Sequence, residues 1–265
     1  DHKIFDEKMS LNQFDFFTSP LERTFKSAES FISGLFPQKS EREVLTITTG
    51  SAFNSSLNPE KCSEFVMAKT EFYKSEKYEK LLDEIWDSIK DGMEYIKLNK
   101  SVQNAHTLCG WAIAFNCSVG SMRPSFLTDD FMRACRKENW MSHFSLFNYT
   151  KNRAVFASPV VRKIIRVVEA ALKTDKKFAL LSAHDTTIAS ILTFFGNFIS
   201  AVPQYASHLA MEVLLDNDGN RYVRFVLNGE ELKLPLFDNK TLIDYNEFIA
   251  KVKPIVDNHC TDIPI

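Results

Sequence analysis

One short segment leaves few folds open to this chain. Phe178-Ala-Leu-Leu-Ser-Ala183 is an uncharged, mostly apolar run bounded by Lys177 and His184. It is too short for a buried helix and reads as a strand buried on both faces. The polar residues His184-Asp185-Thr186 follow at once, and helical character runs from Thr186 to Phe195. Strand, polar turn and helix in that order form the repeating unit of a parallel α/β sheet. In such sheets ligands gather beyond the carboxyl ends of the strands.

The rest of the pattern agrees with that class. Residues 20–35 read as a helix: Pro20 sits at its start, and Leu21, Phe25, Ala28, Phe31, Ile32 and Leu35 recur at helical spacing. Glu43 to Thr49 is a short strand-like run. Ser75 to Leu98 carries an apolar stripe (Tyr78, Leu81, Leu82, Ile85, Trp86, Ile89, Met93, Ile96) with charges opposite, an amphipathic helix. Residues 101–118 and 128–147 are helical in pattern, with Pro124 between them. Pro159 to Leu172 is a further helix, whose Arg162, Lys163 and Arg166 read as a solvated polar face. Leu209 to Leu215 and Tyr222 to Leu227 are strands joined by Asp216-Asn-Asp-Gly-Asn220, which lacks the terminal Glu of a calcium loop and reads as a hairpin turn. Asn228-Gly229 signals a second turn, and a last helix covers Leu242 to Val256. Strands and helices alternate at the two ends, 1–59 and 151–265. A mostly helical block, 60–150, is inserted between them.

Composition excludes several classes of function. With 32 basic and 34 acidic residues among 265, and 45% hydrophobic content, the chain is neither a disordered polyampholyte nor a basic nucleic-acid binder. The richest apolar run, Ile188 to Val202, is broken by Ser190, Thr193, Asn197 and Ser200, so no membrane span is expected. The opening Asp1-His2-Lys3, without Met, reads as a mature or cut terminus. Five N-x-S/T sequons, at Asn54, Asn99, Asn116, Asn148 and Asn239, exceed the roughly two expected by chance from the asparagine content. They favour the secretory pathway. The five cysteines (Cys62, Cys109, Cys117, Cys135, Cys260) allow either reduced core thiols or two disulfides with one thiol over. No spacing suits a metal site.

Three residues stand out chemically. His184 and Asp185 fall at the carboxyl end of the expected strand and the start of a helix, where free N–H groups favour an anion. His184 could donate to that anion, and Asp185 could act as a general acid. The same pattern also describes a helix capped by Asp185 or Thr186 beside a surface histidine. Arg23 lies in a first helical turn, an electrostatically unfavourable place for a cation unless an anion is bound there. A solvated arginine is the plain alternative.

Longer motifs bring these residues together. Arg23-Thr24-Phe25-Lys26-Ser27-Ala28, preceded by Thr18-Ser19 and followed by Gly34-Leu35-Phe36-Pro37, resembles the second arginine motif of the histidine acid phosphatases. Ser182-Ala-His184-Asp185-Thr-Thr187 resembles their late His-Asp motif. Pro203-Gln-Tyr-Ala-Ser-His208-Leu209, leading to Glu212, is similar to the segment that follows it in animal enzymes of the prostatic and lysosomal type. The resemblance covers essentially the whole chain, loosely in the helical middle. It implies a three-layer α/β/α sheet with an inserted helical cap, and hydrolysis of phosphate monoesters at acid pH through a phosphohistidine. No metal or organic cofactor, nucleic acid or membrane span is implied. Asp185 would be the proton donor, while His184 and Arg23 would bind phosphoryl oxygens. An extracellular or lysosomal location is implied, and a homodimer is compatible with it. Cys62 and Cys260 match positions paired in the family. Cys117 matches another family cysteine whose usual partner near His208 is absent, so pairing among Cys109, Cys117 and Cys135 stays open, with Cys117–Cys135 as one choice.

The sequence departs from the family in one respect. The nucleophile motif, Arg-His-Gly-x-Arg, belongs upstream of Arg23, but only 22 residues precede Arg23 and none forms it. His2 has no Arg or Gly beside it and cannot take the role. The expectation is therefore a fragment or processed piece whose nucleophile lies elsewhere. The alternatives are a truncated, non-catalytic member that binds anions or a partner, and a small-molecule-binding α/β protein with the His-Asp pair as a cap.

Overall fold

A computed structural model describes residues 10–38, 45–50, 55–57, 62–116, 123–149, 153–198 and 200–263. In chain order its elements begin with β1 (Phe14–Thr18), α1 (Glu22–Leu35) and β2 (Ile47–Thr49). The helices α2 (Ser63–Tyr73), α3 (Glu76–Tyr95), α4 (Val102–Asn116) and α5 (Asp129–Trp140) follow. A π-helical stretch, Met141–Ser145, leads to α6 (Leu146–Tyr149) and then α7 (Ala154–Ala171). The chain closes with β3 (Phe178–Ser182), α8 (Asp185–Phe194), β4 (Leu209–Leu215), β5 (Arg221–Leu227), β6 (Glu230–Glu231), β7 (Ile243–Asp244) and α9 (Tyr245–Val256). Two compact units emerge: Asp1–Val66 with Asn152–Asn197 and Pro203–Ile265, and Met67–Lys151 with Phe198–Val202.

The first unit is built on a parallel sheet of order β2-β1-β3. Its register places Thr18 opposite both Thr49 and Ser182, so three carboxyl ends coincide. β1 is absent from the sequence-based expectations. Its Phe14, Phe16 and Thr18 are buried while Asp15 and Phe17 are half-buried, a period of two blurred by Phe17. Ile32 and Phe36 close over Phe14 and Phe16, which fixes α1 on one face of the sheet. β3 corrects a second expectation: every residue in it is only half-buried. It is an edge strand, paired among the described residues with β1 alone.

An antiparallel sheet completes the unit. β4 and β5 pair from Leu209–Leu227 to Leu215–Arg221, and β6 and β7 add to β5. The β4–β5 turn is held by Asp216, whose Oδ1 accepts from the N–H groups of Asp218 (2.9 Å) and Asn220 (2.8 Å). Asn228 and Gly229 both have positive φ, as a primed hairpin turn demands. Phe195, Phe225, Phe237 and Phe248 meet in the core with ring centroids 4.7 to 6.5 Å apart, packing α8 and α9 against β5.

The polar face expected of α7 is mostly wrong. Arg162 is 6% exposed. Its guanidinium donates to the carbonyls of Val256, His259 (2.5 Å) and Cys260 (2.7 Å). These carbonyls lie at and beyond the end of α9, where backbone acceptors lack helical partners, so the cation serves as a C-terminal cap. Burial lowers the Arg162 pKa from its ordinary value. Lys163 sits 4.1 Å above the Phe17 ring, and only Arg166 is exposed. Nearby, Cys62 and Cys260 form a disulfide with Cα atoms 5.3 Å apart.

The second unit is helical. It holds the disulfide Cys109–Cys135, joining α4 to α5, in place of the suggested Cys117–Cys135 pair. Cys109 and Cys135 face each other in the buried contact between these helices, while Cys117 lies outside the described residues. In the interior Glu138, 1% exposed, accepts from Tyr78 Oη (2.5 Å) and lies 3.3 Å from His106 Nδ1. Burial and the Glu138 charge push the Tyr78 hydroxyl well above its ordinary pKa. The expected helix 128–147 changes pitch at Met141, where the π-helical stretch begins.

Candidate active site

The coincident strand ends organise the site. After Thr18 the chain continues through Ser19, whose N–H donates to the Ser182 carbonyl (3.0 Å), and turns into α1. After Ser182 it continues through Ala183 and His184 into α8. Two adjacent parallel strands thus feed two helices whose N-termini lie at one end of the sheet, the place where α/β folds bind ligands. The Ser182 hydroxyl donates to the Thr24 carbonyl (2.7 Å), which ties the end of β3 to the first turn of α1.

This arrangement brings Arg23 and His184 into contact although 161 positions separate them. The Arg23 guanidinium lies 3.3 Å from His184 Nδ1. The other ring nitrogen, Nε2, lies 2.9 Å from Ser19 Oγ, which in turn lies 2.8 Å from Thr24 Oγ1. Thr24 Oγ1 donates toward the carbonyls of Leu21 (2.8 Å) and Ser19 (3.0 Å). Ser19 and Thr24 are buried, His184 is half-buried and Arg23 is exposed.

His184, rather than Asp185 or Thr186, occupies the N-cap position of α8, with extended backbone. Its N–H donates to Thr187 Oγ1 (3.3 Å), and Thr187 Oγ1 donates to the Leu57 carbonyl (3.3 Å). Asp185 is the first helical residue and is exposed; its Oδ1 accepts from the Thr186 N–H (2.7 Å). An anionic side chain is favoured at that end of the helix dipole. A cation, an imidazole and a carboxyl group therefore share one end of the sheet. Together they can bind an anion and exchange a proton with it.

Sequence reasoning assigned no role to Ser19, Thr24, Ser182 or Thr187. All four lie within the quoted motifs, and hydroxyl residues beside a candidate histidine were the available signal. The sequons scatter: Asn99 and Asn239 are exposed, while Asn116 and Asn148 are half-buried. The Asn148 Oδ1 is buried. Asn54 lies outside the described residues. No helix among the described residues is long and apolar enough to cross a membrane.

Residues 2–228 match the model of the histidine phosphatase superfamily (branch 2), and the chain belongs to that family. Over 94 residues it is 35% identical to 2-phosphoxylose phosphatase 1 of Xenopus tropicalis, covering 35% of this chain and 16% of that protein. Prostatic acid phosphatase of Rattus norvegicus is 25% identical over 141 residues, covering 50% of this chain and 37% of its own length. Among solved structures, the phytase from D. castellii superposes with a TM-score of 0.52 at 15% identity, covering 97% of this chain and 60% of that one. The chain has the α/β fold of these enzymes. It spans less than half the length of both curated relatives.

Proposed function

We propose that Arg23, His184 and Asp185 are one side of an acid phosphatase site that hydrolyses phosphate monoesters. The observation that carries this reading is the contact of the His184 ring with Arg23 at coincident strand ends. Arg23 and His184 bind phosphoryl oxygens and stabilise charge as the ester bond breaks. Asp185 donates its proton to the leaving alcohol, which requires the protonated carboxyl and favours acid pH. The phosphorus is attacked by a histidine in an Arg-His-Gly-x-Arg segment outside these 265 residues, and water then releases phosphate from the phosphohistidine. The reaction uses no metal or organic cofactor. In this reading the ends of the chain (1–59 and 151–265) form the phosphatase core and residues 60–150 the cap. The protein belongs to the secretory pathway, extracellular or lysosomal, with glycans on its exposed sequons, Asn99 and Asn239 first.

The test is p-nitrophenyl phosphate hydrolysis at pH 5, without added metal, by a gene product that carries the Arg-His-Gly-x-Arg segment. Asp185→Ala should lower kcat about 100- to 10,000-fold. An unchanged rate would remove Asp185 from the role of acid. A folded, longer product with no turnover would point instead to a non-catalytic member that binds anions at Arg23 and His184.

A further inference from the structure

We propose that Ser19 and Thr24 are positioning residues that lock the protonation of His184. A guanidinium only donates, so the nitrogen facing Arg23, Nδ1, is an acceptor in the neutral ring. The ring proton then sits on Nε2 and is donated to Ser19 Oγ. Ser19 passes its own hydroxyl proton to Thr24 Oγ1, and Thr24 passes its proton to the backbone carbonyls of Leu21 and Ser19. Every donor in this chain has an acceptor. In the opposite tautomer Ser19 would turn its proton to Nε2. Thr24, whose single proton is drawn to two carbonyls, would then face Ser19 across 2.8 Å without one. Both hydroxyls are buried, Ser19 completely, where a mismatched donor or acceptor is costly.

The lock has a consequence for ligand binding, and here the inference rests on the phosphatase reading above. With Nε2–H committed to Ser19, only Nδ1 faces the side occupied by Arg23. Nδ1 can donate to an anion only after taking a second proton. Anion binding at His184 therefore takes up one proton, and the bound ring is an imidazolium. Among the described residues, the charged groups at this end of the sheet are Arg23 of α1, which disfavours the imidazolium until an anion intervenes, and Asp185 of α8, which favours it.

The experiment is nitrogen-15 NMR of the histidine rings in this 265-residue chain, with the His184 signals assigned by their loss in His184→Gln. At pH 7.5 without phosphate, the proton should reside on Nε2. Ser19→Ala should weaken that single-tautomer signal toward an averaged ring, leaving Arg23 alone to favour Nε2–H. Thr24→Val, which keeps the shape and removes the second hydroxyl, should weaken it, and Thr24→Ser should restore it. A proton on Nδ1 in the unsubstituted chain, or a ring spectrum untouched by both substitutions, overturns the lock. The unsubstituted measurement decides this even where a variant fails to fold. Saturation with inorganic phosphate should protonate both ring nitrogens. Phosphate that binds while the ring stays neutral overturns the proton uptake. If phosphate fails to bind this chain, the titration is repeated on the longer product that carries the Arg-His-Gly-x-Arg segment; failure there removes the phosphatase reading, while the tautomer result stands by itself.

Discussion

Arg162 shows how far a single side chain can depart from its local pattern. Helical spacing puts it beside Lys163 and Arg166, on the face that sequence reasoning assigns to water. Its acceptors are carbonyls 94 to 98 positions later, at and beyond the end of α9, and no window of sequence contains both partners. Arg162→Met keeps most of the volume but removes the guanidinium from the three carbonyls, of which that of Cys260 keeps the Ile263 N–H. We expect a loss of about 3 kcal/mol in unfolding free energy, measured by urea denaturation. A loss below about 1 kcal/mol would mean that water enters and replaces the guanidinium. The same limit applies to the site. Arg23, His184 and Asp185 could each be singled out, but pattern alone favoured a plain structural reading of each. Their common end of the sheet follows from the β1–β3 register, which depends on a strand that sequence reasoning did not find.

At the scale of elements, legibility followed periodicity. α3 has a clean apolar stripe: of its expected residues Tyr78, Leu81, Leu82, Ile85, Ile89 and Met93 are buried, while Trp86 and Ile96 are half-buried. The β4–β5 hairpin was signalled by its turn residues. β1 and β3 were harder because an edge position and a blurred alternation both weaken the strand pattern. Gly92 tests how tightly the helices of the second unit pack. A Cβ at this position would lie 2.6 Å from the Phe131 ring and 3.1 Å from that of Phe126. Gly92→Ala would normally favour a helix by about 1 kcal/mol. Here Phe131 is 1% exposed and has little room to retreat. Overpacking typically costs 1–3 kcal/mol and should outweigh the propensity gain. The expected outcome is a lowered Tm, read by thermal melting; a raised Tm would show that the α3–α5 contact yields easily.

For the whole molecule, the consequence worth drawing out comes from the covalent links. The Cys62–Cys260 bond spans 198 positions and encloses the Cys109–Cys135 bond, so most of the backbone lies within one closed loop. A protease that cuts once anywhere between Cys62 and Cys260 opens the ring without releasing a piece. After limited proteolysis confined to the segment between Cys135 and Ala154, we expect a band of unchanged size on a non-reducing gel and two fragments after reduction. Separation without reductant would show that the long-range bond had not formed. A chain closed in this way can persist nicked and still migrate as a single species, with its strand ends and Arg162 clamp on one covalent frame.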